Sequence, residues 1–261
     1  MDVVIDFTKS AQENAQSYFE KSKKAKAKAE GARLSAEELK AKFAKVEEQQ
    51  EKQKKMKTLE RREWFEKFNW FFTSSGLLAI GGRSADQNEE LNSKHFAEAD
   101  LFFHADIFGA SVVILKDGKG SGRKDREEAA QLSASFSKAW DNSQTTVDVY
   151  ALDRGQVTKS RNSGSLGKGS FVLKGEREWY KNTPLGLCAF MEELGAEGKK
   201  RKVACIAPLT ACENRGINDF VGISLGKMKK SDAAKLIAKK LGYDDVDYIM
   251  QHLPAGPFSV R

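Results

Sequence analysis

The sequence predicts an α+β protein: a mixed β-sheet domain with helices, preceded by a long antiparallel helical hairpin and followed by a small α/β tail. Three observations carry that expectation. The first 66 residues hold no proline and a single glycine, and they repeat apolar or small residues at steps of three and four. From Trp64 onward the period shortens to two and turn residues appear every few positions. A glycine-rich basic stretch, Gly195 to Arg201, then separates a shorter set of strand and helix patterns.

The hairpin follows from two stripes. Ala11, Ala15, Tyr18, Ser22, Ala25 and Ala29 form one, and Leu39, Phe43, Val46, Gln50 and Gln53 the other, as in facing coiled-coil helices. Ser10 with Glu13 and Ser35 with Glu38 have capping-box spacing, and Gly31 lies between the stripes as a stop signal. Beyond Trp64, strands are expected over 69–73 and 77–80 around a turn at Ser74-Ser75-Gly76. A helix over 85–96, strands over 101–105 and 112–115, and one long helix over 126–140 come next. Strands are then expected over 147–152, 156–159, 171–174 and 185–191, and in the tail over 203–207 and 220–224 with helices over 231–241 and 244–253. The domain bounds expected on this basis are 1–66, 67–191 and 192–261.

Charge points to a polyanionic partner. Lys and Arg number 44 against 37 Asp and Glu, a net of +7. Residues 1–62 contribute 16 against 11, a net of +5, so the remaining 28 against 26 matter by where they cluster. Lysines and arginines that neutralise phosphates release condensed counterions, which favours nucleic acid. No apolar run approaches the roughly 20 residues that span a bilayer, and the first residues lack a signal-peptide pattern; a cytoplasmic protein with no membrane partner is expected. Cys188, Cys205 and Cys212, with no CxxC spacing, read as three buried thiols.

Several patterns invite chemistry. Strand alternation sets Phe102, His104 and Asp106 on one face. The pair has three readings: a structural hydrogen bond, a polar RNA contact, and, least favoured, a metal-dependent enzyme centre. A metal site lacks further ligands at suitable spacing, so no catalytic residue, metal or cofactor is expected. Asp117 to Lys124 is a glycine-rich basic loop that fails both the Walker and the GxGxxG spacing; it reads as a phosphate contact or a plain surface loop. Gly81-Gly82-Arg83-Ser84 ends a strand where Ser84 and Gln87 can cap a helix, a setting that welcomes an anion. Lys159, Arg161, Lys168, Lys174 and Arg177 stand among glycines, serines and Phe171, a composition suited to RNA backbone contact and base stacking.

Together these segments resemble the NFACT family of ribosome-associated quality control. The resemblance rests on Trp64-Phe65-Glu66-Lys67-Phe68, on Ile80-Gly81-Gly82-Arg83 with Gln87-Asn88-Glu89, and on Asp100 with His104-Ala105-Asp106 and Gly109-Ala110. It extends through Ala139-Trp140, Gln156-Val157-Thr158-Lys159, and Gly169-Ser170-Phe171 with Lys174-Gly175. Lys229 to Lys235 and Leu253-Pro254-Ala255-Gly256 resemble the family's C-terminal segment more loosely. Phe108 stands where the family usually has His, Ser84 where it has Asp, and the loop Ser160 to Leu166 lacks the usual prolines.

The resemblance implies a non-enzymatic RNA-binding factor acting on the large ribosomal subunit, its rRNA and tRNA in stalled complexes. A separate chain supplying the family's N-terminal half is a further implied partner. The RNA-binding residues expected are Arg83, Gln87, Asn88, His104, Asp106, Lys159, Lys168, Lys174 and Arg177, the basic ones on phosphates and the rest orienting them. A metal-dependent RNA-processing enzyme using His104 and Asp106, and a coiled-coil adaptor that binds protein alone, are the alternatives.

Overall fold

The N-terminal segment forms α1 (Ala11–Leu59), one helix of 49 residues and about 74 Å at ~1.5 Å per residue. The computed structural model describes residues 4–59, 62–159, 167–195 and 200–261. It divides into two compact units, Met1–Glu63 and Trp64–Arg261. In the first unit Ser10 and Glu13 make the expected capping box: the Ser10 N–H donates to Glu13 Oε2 at 2.7 Å and the Glu13 N–H to Ser10 Oγ at 3.3 Å. The hairpin, however, is absent from α1, which runs unbroken through Gly31 and Ser35. Glycine inside a helix costs only about 1 kcal/mol relative to alanine, and the Ala, Lys and Glu on either side outweigh one such residue. Leu39, Phe43 and Val46 consequently remain exposed along one stripe.

The second unit opens with a single 3-10 turn, Trp64–Lys67, that buries Phe65 and Glu66. A six-stranded sheet follows in the order β1-β2-β4-β3-β5-β8. Its strands are β1 (Asn69–Phe72), β2 (Leu78–Gly81), β3 (Leu101–Ala105), β4 (Val113–Leu115), β5 (Thr146–Asp153) and β8 (Glu178–Pro184). A two-stranded ribbon pairs β6 (Val157–Thr158) with β7 (Val172–Leu173). The second sheet has the order β10-β9-β11-β12, from β9 (Leu187–Leu194), β10 (Arg201–Pro208), β11 (Val221–Met228) and β12 (Phe258–Val260). Every strand pair among the described residues is antiparallel, which corrects the expected mixed sheet. Antiparallel neighbours can be joined by short turns, such as Thr73 to Leu77, whereas parallel ones need long crossovers.

Helix α2 (Ala85–Glu90) continues into a π-turn, Leu91–His95. The single helix expected over 126–140 is two, α3 (Arg123–Ser135) and α4 (Lys138–Asp141). The break is a capping event: the Ser137 side chain accepts from the Ala139 N–H at 3.1 Å and donates to the Ala134 carbonyl at 2.7 Å. α3 packs on β3, β4, β5 and β8 of the first sheet and also meets β10 of the second. The tail adds α5 (Leu209–Arg215), α6 (Lys230–Leu241) and α7 (Val246–Gln251). Two apolar clusters fill the unit, one around Phe68, Trp70, Phe71, Phe102 and Phe103, the other around Trp140, Ile237, Ile249 and Phe258. Polar bonds also tie distant segments of the unit together, such as Trp70 Nε1–H to Tyr248 Oη at 3.0 Å and the Glu66–Arg201 ion pair.

Cys188 and Cys212 are joined in a disulfide between β9 and α5, so the expectation of three thiols is corrected. Only strand pairing and the turn into α5 bring them together, which spacing in the chain cannot reveal. Cys205 is a buried thiol whose pKa burial pushes well up. Among the described residues no helix is long and apolar enough to cross a membrane.

Candidate nucleic-acid interface

The turn from β2 into α2 is built by side chains that serve the backbone. The Gly82 N–H donates to the Val112 carbonyl at 2.9 Å, and Ser111 Oγ donates to the Gly82 carbonyl at 2.5 Å. A Cβ on Gly82 would collide with the Asn88 side chain, so this position requires glycine. Gln87 Oε1 accepts from the Arg83 N–H at 3.0 Å while its Nε2 donates to the Lys67 carbonyl at 3.0 Å. Ser84 caps α2 by accepting from the Gln87 N–H at 3.3 Å, and Asn88 Oδ1 accepts from the Val112 N–H at 3.3 Å. Gln87 and Asn88 thus fix a turn whose product is the placement of Arg83.

Arg83 is delivered to the rim of a cleft of about 750 Å³. Among the described residues the lining holds four basic side chains, Arg83, Lys138, Lys168 and Lys230, and one carboxylate, Asp141. Arg83 Nη1 lies 3.5 Å from both the backbone and side-chain oxygens of Gln251. Lys230 donates to the Leu253 carbonyl at 2.7 Å. Burial, and then the charge of Arg83, lower its pKa. An anion bound in this cleft would be attracted by both cations. Lys168 pairs with Asp86 at 2.9 Å, but both are largely exposed, so solvent screens the pair and it holds Lys168 only loosely. The loop that carries Lys168 docks through Gly169, whose φ of +72° and close approach to Ala85 leave no room for a side chain.

Aromatic rings face the same space. Phe108 is 88% exposed and Lys138 Nζ stands 5.6 Å from its centroid. His104, Tyr150 and Phe171 also line the cleft. His104 Nδ1 lies 3.3 Å from Tyr150 Oη. His104 also stacks on Phe102, with centroids 6.3 Å apart, while Asp106 is exposed and its N–H donates to the Asp148 carbonyl. Burial lowers the His104 pKa, which leaves a neutral ring at neutral pH that can hydrogen-bond but adds no positive charge. Behind Tyr150, Arg177 stacks on that ring at 4.4 Å and lies 5.7 Å from Trp179, over which Lys181 sits at 4.0 Å.

The structure therefore gathers four of the sequence-selected residues, Arg83, Asn88, His104 and Lys168, in one cleft. Gln87, Asp106, Lys159, Lys174 and Arg177 are not among its lining residues. Lys159 pairs with Glu89 at 2.7 Å and reaches the Phe171 ring. Lys174 is exposed next to β7, held by its N–H bond to the Gln156 carbonyl. Arg161 falls outside the described residues. The glycine loop 117–124 lies elsewhere: at the start of α3, Asp125 accepts from the Gly122 and Ser75 N–H groups, a carboxylate standing where a phosphate would bind. Among the described residues no cluster of three or more His, Cys, Asp and Glu could hold a metal ion.

Asn69, Lys138, Tyr150 and Lys230 are cleft residues that sequence reasoning missed. Lys230 carried a usable signal, a Lys-Lys pair directly ahead of a helix, and the other three carried none beyond their strand and helix positions.

Comparison with known proteins supplies independent context. Residues 67–175 match the family model described as NFACT protein RNA binding domain. The chain is similar to an archaeal Rqc2 homolog of Methanocaldococcus jannaschii, 35% identical over 76% of this chain and 29% of that protein. It is also similar to the ribosome quality control complex subunit NEMF homolog of Drosophila melanogaster, 38% identical over 44% of this chain and 12% of that one. A solved structure of the C-terminal part of the fibronectin/fibrinogen-binding protein of Streptococcus suis aligns over 48% of this chain and 47% of its own, 25% identical, with TM-score 0.40. The chain thus spans less than a third of the length of the two curated relatives.

Proposed function

The chain belongs to the NFACT family, with that family's RNA-binding domain over residues 67–175, and from that premise we propose that it binds the large ribosomal subunit and tRNA on stalled complexes. Its Drosophila relative carries the name of a ribosome quality control complex subunit, and binding, not catalysis, is the role proposed here. The observation that carries the reading is the cleft, whose lining among the described residues holds Arg83, Lys138, Lys168 and Lys230 against one carboxylate, Asp141. Such a surplus of cations attracts phosphates whatever the sequence, while the rings beside them offer faces for bases. Arg177, Lys159 and Lys174 would extend the contact along the backbone, and Gln87, Asn88, His104 and Asp106 would orient it.

The experiment is photo-crosslinking of the protein to stalled particles. Attachment of peptides from residues 64–191 or 230–255 to tRNA or large-subunit rRNA is expected. Crosslinks only to messenger RNA, or none, overturn the proposal.

A further inference from the structure

One lining residue is unexplained by phosphate binding. Asn69 sits on β1 at the cleft, only 3% exposed, and its Oδ1 has no hydrogen-bond partner. A buried carbonyl oxygen without a donor costs free energy comparable to a lost hydrogen bond, so its presence beside a cavity asks for a ligand N–H. A phosphate group has no N–H to give. The same cleft is lined by the cations Arg83 and Lys230 and presents Phe108 almost fully to solvent, with Lys138 over its ring. Three demands therefore converge within about 750 Å³: an anion, an N–H donor and a flat π face.

We propose that the cleft takes one unstacked nucleotide of a single-stranded RNA segment, its base laid on Phe108 with an N–H edge toward Asn69 and its phosphate between Arg83 and Lys230. The proposal rests on the reading of this domain as RNA-binding and names the form of RNA it selects. A volume of this size suits a small-molecule-sized group, and a paired base inside a duplex is stacked on both faces with its pairing edge occupied, so a duplex meets the demand for an anion through its phosphates but neither of the other two. An acidic peptide offers a carboxylate and an N–H but no π face for Phe108. Capture of a splayed base also explains why the exposed ring is tolerated, since stacking a base on an aromatic side chain contributes to affinity without regard to neighbouring sequence.

Fluorescence anisotropy with two labelled RNAs of equal phosphate number tests this: a stem-loop with an eight-nucleotide unpaired loop, and a blunt duplex. The wild-type chain should bind the loop RNA roughly tenfold more tightly. Phe108→Ala, at an exposed position, should lower loop affinity by about tenfold, the order of one lost base stack, and leave duplex binding unchanged. Asn69→Leu, which removes the orphan oxygen while keeping the site filled, should leave thermal stability intact and lower loop affinity several-fold. Equal binding of loop and duplex, or an equal loss for both RNAs in Phe108→Ala, overturns the single-nucleotide cleft while leaving general RNA binding in place. Absence of binding to either RNA overturns the RNA-binding reading itself.

Discussion

Salt dependence offers a quantitative test of the cleft's charge. Each phosphate neutralised on a single strand contributes about −0.7 to the slope of log K against log salt concentration. If Arg83 and Lys230 share one phosphate and Lys138 and Lys168 each meet another, the slope should be about −2.1, and affinity should fall about 18-fold between 50 and 200 mM salt. Lys138 and Lys168 are exposed, so Lys138→Gln/Lys168→Gln removes two contacts without disturbing the core. The slope should then drop to about −0.7 and the fall over the same range shrink to about threefold. Lys168 must give up Asp86 to bind, but that pair is exposed and costs little to break. Anisotropy of a labelled single-stranded RNA over a salt series reads both slopes. A double variant with the wild-type slope would show that these lysines do not meet phosphates, and the charge argument for the cleft would be refuted.

Other predictions follow from packing and titration. Gly82→Ala drives a methyl into Asn88 and should destabilise the unit by about 1–3 kcal/mol, seen as a fall in Tm and a parallel loss of RNA affinity as Arg83 shifts. His252 lies between two carbonyls, Tyr248 at 2.7 Å and Glu66 at 3.0 Å, yet burial, the larger effect, brings its pKa down to about 4. With the folded value below the unfolded one of 6.5, the stability linked to this ring is complete above pH 6.5 and is lost as pH falls toward 4. The loss should be on the order of 3 kcal/mol; urea unfolding at pH 7.0 and 4.5 should show a smaller loss in His252→Gln than in the wild type. RNA incubated with the protein and Mg²⁺ should remain full length, and any cleavage abolished by Asp106→Ala would restore the enzyme reading of His104 and Asp106.

Much of the fold was legible because its strands obey local rules. Leu101–Ala105 is a short, almost continuous apolar run, and the hairpin around Ser74-Ser75-Gly76 turns as its residues dictate. β8 was not legible: Glu178–Pro184 is a solvent-facing edge strand with an irregular burial pattern and a left-handed Asn182, so it lacks the alternation that marks a strand. Gly31 misled for the opposite reason, a breaker overruled by strong helix formers around it. At the site, Arg83 was visible because glycines and a cap announce a turn, and Phe108 because it interrupts a familiar pattern. Asn69 and Lys230 are 161 residues apart, counted from their positions in the chain, and no local rule connects them. Their partnership exists only once β1 and the start of α6 line the same cleft.

The cleft's composite construction has an evolutionary consequence. Arg83, His104, Phe108 and Lys168 come from the stretch that matches the family model, whereas Lys230, Gln251 and Leu253 come from beyond it. One wall can therefore diversify while the other stays fixed. Swapping residues 230–255 between relatives would then transfer preference rather than abolish it.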